Sequence, residues 1–320
     1  MLPLARGRAK LGTLSAMRAP KLLMLLGSAL LLSLSADARG FTHVVQKGDT
    51  LAAIAERYYG LIQHEKLLVA ANGLDARGGA PIVLGMRLEV PALSHRRIKK
   101  GDTWAELATV HLGAPHRADV LSMANGSSPW LPPADGAEIL IPYNLPVMVT
   151  NADSIVSIAQ KYMGDPNKAW VLDHYNGLKG KKLVPGDIVL VPLTELPLTE
   201  DGKKSVAEAN PLLCSQAAGE TRDKQRKVQA ELPALTADVK SGRYVDAVGR
   251  GNRFLSVSSQ LTTEQLAGVH RQLLEAYAAL EAPGLARAAC AEWRKLDTKA
   301  ALDPVTMSPK LLEACADASP

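Results

Sequence analysis

Three aspartates, Asp49, Asp102 and Asp153, are each followed by an asparagine at the same distance of 23 residues: Asn72, Asn125 and Asn176. Three equal spacings in otherwise divergent sequence mark an internal repeat, and a repeat constrains the fold more than any single motif. The first copy runs from His43-Val-Val-Gln-Lys-Gly-Asp-Thr-Leu to Val90-Pro91. The second runs from Arg97-Ile-Lys-Lys-Gly-Asp-Thr-Trp to Ile141-Pro142, and the third from Val147-Met-Val-Thr-Asn-Ala-Asp-Ser-Ile to Val191-Pro192.

The residues of the first copy predict its local structure. Val44 and Val45 are β-branched and precede a Gly48-Asp49 turn, which suits a short strand. Thr50 caps a helix whose apolar positions Leu51, Ile54, Ala55 and Tyr58 share one face, and Gly60 stops it. A second helix from Glu65 carries Leu67, Leu68 and Ala71 and ends at Asn72-Gly73. Arg87–Val90 alternates as a second strand, closed by Pro91. In the second copy Thr103 and Glu106 predict a capping box, and in the third Ser154 keeps the capping hydroxyl. Each unit is a strand–helix–helix–strand module of about 45 to 50 residues, marginal in core size.

On these residues the chain resembles the LysM family: Gly48-Asp49-Thr50, Gly101-Asp102-Thr103, the three asparagines, Pro185-Gly186-Asp187 and the terminal Val-Pro or Ile-Pro pairs. The resemblance spans roughly residues 42–193. It implies βααβ modules that bind N-acetylglucosamine-containing glycans, such as peptidoglycan and chitin, without catalysis. The groove it implies lies between the loop after the first strand and the loop before the second. Carried over by position, the contacts in the first copy are Gly48, Asp49, Thr50 and Leu51 opposite Pro81, Ile82 and Val83. In the second they are Gly101, Asp102, Thr103 and Trp104, opposite the segment around Pro133 and Ala134. In the third they are Asp153, Ser154 and Ile155 opposite Leu183, Val184 and Pro185. The bland alternative stands beside each: the Gly-Asp-Thr residues as turn and cap, Trp104 as core, and the asparagines as helix ends. The third copy departs from the family with Ala152 in place of glycine. The second has a Pro-rich loop, Pro129 to Pro133, so binding is best supported for the first copy.

The first 38 residues read as a signal peptide. Arg6, Arg8, Lys10, Arg18 and Lys21 form a basic region, Leu22–Leu34 an apolar one, and Ala36-Asp37-Ala38 a cleavage signature. The apolar run is shorter than the roughly 20 residues of a membrane span; an uncleaved anchor is the alternative, and Met17 is a second candidate start. Of the formal charge of +5, this segment supplies most, so the basic balance is no argument for nucleic acid. Arg96, Arg97, Lys99 and Lys100 read as a solvated linker face or a contact for peptidoglycan carboxylates.

Aromatic residues make up only 4% of the chain, against 47% hydrophobic overall, which favours several small Leu/Ile/Val/Ala cores. Residues 194–210 read as a linker and 211–320 as an α-helical domain. There Leu266, Val269, Leu273, Tyr277 and Leu280 recur at helical spacing, and Pro283 opens a helix carrying Leu285, Ala289, Trp293 and Leu296. Gly242–Val248, Leu273, Tyr277 and Ala286 resemble a tetratricopeptide (TPR) pattern, which implies a protein partner; a plain helical cap on the repeats is the alternative. Of Cys214, Cys290 and Cys315, two can pair in an oxidising compartment.

The expected fold is therefore α+β: signal peptide 1–38, LysM-like repeats at 42–92, 95–143 and 146–193, then a linker and an all-α, TPR-like region. The expected function is non-catalytic glycan binding in the periplasm or outside the cell, with no cofactor, no metal and no nucleic acid. The last third contains a single histidine, His270, and no His-Gly-Cys motif, which argues against a metal- or thiol-dependent hydrolase. A wall-remodelling hydrolase with carboxylates unreadable from spacing, and a scaffold acting through the helices, are the alternatives.

Overall fold

The computed structural model describes residues 40–74, 81–209, 219–305 and 307–316. Residues 1–38, expected from the sequence to be a signal peptide, and Cys214 lie outside them.

The strand–helix–helix–strand order is present three times. In the first unit β1 (Phe41–Val44) pairs antiparallel with β2 (Arg87–Val90). In the second β3 (Ser94–Arg97) pairs with β4 (Glu138–Ile141), and in the third β5 (Tyr143–Met148) pairs with β6 (Ile188–Leu193). Between the strands lie α1 (Leu51–Tyr59) and α2 (Glu65–Ala71), α3 (Trp104–Leu112) and α4 (Ala118–Ala124), and α5 (Ile155–Met163) and α6 (Ala169–Tyr175). Thr50, Thr103 and Ser154 each accept a hydrogen bond from the third backbone N–H of the following helix. The reciprocal capping box falls at Ser154–Ser157. At Thr103 the hydroxyl instead donates to Glu106 Oε2, so the glutamate serves the side chain and not the cap's own N–H.

The repeated asparagine performs one task three times. Asn72 Nδ2 donates to Leu68 O, one helical turn back, and to Glu89 O, while its Oδ1 accepts from Glu89 N. Asn125 does the same with Leu121 and Leu140, and Asn176 with Leu172 and Leu190. Each side chain thereby satisfies the free backbone edge of the second strand and ties it to the end of the second helix.

Small modules gain stability by pooling apolar surface. Ile54, Leu68, Leu88 and Val90 of the first unit form one core with Leu145, Ile158, Leu172 and Val191 of the third. The second unit builds its own core on Leu107, Leu112, Leu121 and Ile141, completed by Tyr175 of the third. Arg117 of the second unit stacks 4.7 Å over the Tyr175 ring and donates to the Tyr175 carbonyl.

Residues 194–210 contain a helix, α7 (Glu200–Ala209), where the polar composition suggested only a linker. It packs on the first unit through Gly202 and Val206. Thr199, at its head, donates its N–H to Tyr58 O and its hydroxyl to Arg57 O, satisfying carbonyls at the end of α1.

Among the described residues five further helices form the C-terminal region: α8 (Glu220–Lys240), α9 (Tyr244–Leu255), α10 (Thr263–Ala279), α11 (Pro283–Leu296) and α12 (Pro309–Ala316). Consecutive helices pack on one another. Val269, Leu273, Ala286, Ala289 and Trp293 are buried in their common core, but Leu280 and Leu285, expected on the same faces, are exposed. Leu280 lies just past the last turn of α10, and Leu285 on the outer side of α11. Cys290 and Cys315 form a disulfide joining α11 to α12.

Candidate functional site

The two loops singled out from the sequence meet at one end of each unit. In the first, Val45 N donates to Met86 O and Gly85 N to Val45 O, so the strand pairing continues until the loops lie side by side. The β1–α1 loop begins with a turn in which Asp49 N donates to Gln46 O. Gly48 occupies its third position at φ 92°, a conformation glycine adopts without strain. The third unit closes the equivalent turn, Asp153 N to Thr150 O, with Ala152 at negative φ. The loss of glycine there is accommodated by a different turn type, and the loop keeps its course.

The aspartates brace these turns. Asp49 Oδ2 accepts from Gln46 N at 2.8 Å and lies 2.8 Å from His43 Nε2; Arg57 is 3.5 Å away. The Gln46 N–H, then His43, hold the Asp49 carboxyl below the usual carboxylate range. Because an ionised carboxylate only accepts, His43 Nε2 donates to Asp49, and the opposite ring nitrogen, Nδ1, is hydrogen-bonded to the Tyr58 hydroxyl at 2.9 Å. Asp102 accepts from Lys99 N, and Asp153 from both N and Oγ1 of Thr150. The Thr150 hydroxyl is the main cause of a lowered Asp153 carboxyl pKa. Asp49, Asp102 and Asp153 thus each brace a turn beside the residues expected to contact a ligand.

In the first unit Gly48 and Thr50 are exposed, and Leu51 and Ile82 are half-buried against the core. Pro81 is exposed, as are Val83 (60%) and Leu84 (73%). The third unit repeats this arrangement with Ser154 exposed, Ile155 and Leu183 half-buried, and Val184 (56%) and Pro185 exposed. Both pairs of loops offer an apolar strip beside a helix start.

The second unit differs. Trp104 is buried, with its indole N–H on Leu131 O at 2.8 Å, and Pro133 is buried too. Gly101 and Thr103 remain exposed, as does Ala134, but the facing loop is tied to the helical region just beyond it. Thr263 N donates to Asp135 O, Gln225 Nε2 to Gly136 O and Gln260 O, and Glu138 N to Gln225 Oε1. A Cβ on Gly136 would sit 3.4 Å from the Leu261 carbonyl, whereas one on Gly85 or Gly186 would meet nothing within 4 Å. Arg97, expected on a linker face, lies on β3 and donates to the carbonyls of Gly136, Ser259 and Leu261. It fastens the helices to the second unit.

Residues 43–91 match the LysM domain. The match covers the first unit from His43 in β1 to Pro91, so the LysM domain coincides with the unit in which Gly48, Thr50, Pro81, Val83 and Leu84 are exposed. Over 150 residues, 47% of its length, the chain is 26% identical to esterases from two strains of Mycobacterium tuberculosis. It spans only 32% of the length of those relatives. No solved structure matches the chain.

The sequence reading passed over Trp130 and Trp170, which are 79% and 65% exposed and line one cleft. Among the described residues no group of three His, Cys, Asp or Glu is arranged to hold a metal ion, and no helix is long and apolar enough to cross a membrane.

Proposed function

We propose that this protein binds peptidoglycan, or another N-acetylglucosamine-containing glycan such as chitin, without catalysis and at the bacterial cell envelope. The observation that carries the reading is the LysM match on a unit in which the described loop residues Val83 and Leu84 are exposed beside Leu51 and Ile82. In this reading the first-turn N–H groups of α1, which no helical carbonyl can reach, meet the acetamide oxygen. Leu51, Ile82 and Val83 meet its methyl group and the C–H face of the sugar. The third unit, with Ile155, Leu183 and Val184, is a second such groove, and the second unit a LysM module whose groove has been given over to holding the helices. The shared caps, aspartate braces and asparagine ties support counting three modules, as does a similarity to the mycobacterial proteins far longer than one module. Two shallow grooves on one body raise affinity through effective concentration.

The disulfide supports export, because such bonds persist in oxidising compartments. The helical region acts first as a cap on the array, and its outer surface is what remains for a protein partner.

The esterase name of the relatives is the observation that favours a catalytic reading. One experiment separates the two. Purified sacculi and chitin are sedimented with the intact protein and with a Val83→Asp/Val184→Asp variant, exposed positions that leave the turns intact. The same tubes are assayed for released muropeptides and for hydrolysis of an aryl acetate. Pelleting that falls in the variant, without product, is the expected result; product that scales with protein would establish the catalytic reading.

A further inference from the structure

A second cleft, of about 940 Å³, lies where α4, the Ser127–Trp130 turn at the start of the α4–β4 loop, α6 and the start of α8 come together. It stands near the top of the roughly 300–1,000 Å³ range of small-molecule pockets, room for more than one sugar ring. Trp130 and Trp170 line it, and both are largely exposed, as is Met123. Two uncovered indoles on one concavity form the kind of apolar patch that a soluble surface ordinarily avoids unless it binds something.

The backbone that carries each indole is held in place. Trp130 sits in a tight turn closed by Leu131 N on Ser128 O, and Leu131 O is in turn pinned by the Trp104 indole. Trp170 is the second residue of α6, whose opposite side buries Leu172 and Tyr175. The approach to α6 is fixed by Asp165, which accepts from Asn167 N. Polar groups of both signs are interleaved with the indoles: Asp119, Asp165 and Glu195 against Lys168, Arg222 and Arg226.

That mixture selects among ligands. A polyanion such as nucleic acid would meet three carboxylates, and its binding surfaces carry a single positive sign. A sugar chain presents flat C–H faces to stack on indoles and a rim of hydroxyl, acetamide and carboxylate groups for the charged side chains. We propose that this cleft is a separate binding site for a glycan strand, gripped between Trp130 and Trp170. The inference rests on the glycan-binding reading above and adds a site of different construction, which exists only because two units and a helix are packed together.

The test is a titration of the intact protein with the hexamer of N-acetylglucosamine and with sonicated sacculi, followed by calorimetry and by tryptophan emission. The variants are Trp130→Ala/Trp170→Ala and Val83→Asp/Val184→Asp; all four positions are exposed, and thermal melting checks that each variant folds. The expected result is a blue shift of emission that survives in the Val83/Val184 variant, with at least tenfold weaker binding in the tryptophan variant. Calorimetric binding by the tryptophan variant within twofold of wild type, or a shift lost equally in the Val83/Val184 variant, overturns the cleft while the glycan-binding function stands. Indoles quenched by ligand only when a second protein is added would do the same, in favour of a protein partner. No binding of either glycan by the wild type removes the glycan reading, and the cleft with it.

Discussion

Trp104 donates its indole N–H to the main-chain oxygen of Leu131 at 2.8 Å, joining the first residue of α3 to the irregular loop that follows α4. A buried indole requires such an acceptor, and the loop gains an anchor in return. Trp104→Phe leaves the Leu131 carbonyl without this donor. It is expected to cost about 2 kcal/mol, a lost hydrogen bond plus a small void. Urea denaturation measures the loss, and faster amide exchange at Leu131 would localise it.

The asparagine ties should be among the costliest polar positions in the array. Asn176→Ala removes three hydrogen bonds, for an expected loss of about 3 kcal/mol at about 1 kcal/mol each. Asn125→Ala should cost more, because Asn125 Oδ1 also accepts from Arg222 of α8. Comparing the two variants in the same denaturant series checks the order, and equal losses would show that the Arg222 contact contributes nothing.

Strong acid should loosen the helical region at Asp238. Its carboxylate is bonded by Arg243 and, next in weight, Arg250, which hold its pKa below the ordinary value. A depressed carboxyl pKa stabilises the folded state fully above the unfolded value of about 3.9. That contribution disappears as pH falls through the folded value. Asp238→Asn is therefore expected to be less stable at neutral pH and to show a flatter decline below pH about 4. Thermal melting across that range, on both proteins, tests the sign.

The Cys290–Cys315 disulfide closes a loop with a sequence separation of 25, for which chain entropy predicts about 3 kcal/mol. Cys290→Ala/Cys315→Ala, or reduction, is expected to release α12 while leaving the three units folded. Hydrogen exchange along residues 309–316 would register the release. Unchanged protection there would mean that Leu311 and Ala314 hold the helix without the bond.

What was legible in the sequence follows the range of the interactions. Thr50, Asp49 and Asn72 act within a few residues or across one unit, so their spacing repeats and can be read. The covering of the second unit could not be read this way: it depends on Arg97 reaching Leu261, 164 residues away, and on Gln225 reaching Gly136. For the same reason Trp104 kept two readings until its acceptor was located. Helix α7 was concealed by composition, since only Gly202 and Val206 are buried along it. Trp130 and Trp170 were missed because they break the repeat: the first belongs to a loop peculiar to the second unit, and each looks isolated until the units are packed.

A single residue, Pro142, separates β4 from β5, and the first and third units share one core. Tandem binding modules on flexible tethers can adjust to whatever interval a target presents. Here the interval is cast into the protein, so if the first and third units bind glycan as proposed, one strand or neighbouring strands would have to accept a preset separation and angle. Under that proposal such a body would work as a gauge, discriminating among polymers by their periodicity and stiffness as much as by the identity of the sugar, and a chemically correct but disordered glycan would engage only one groove at a time.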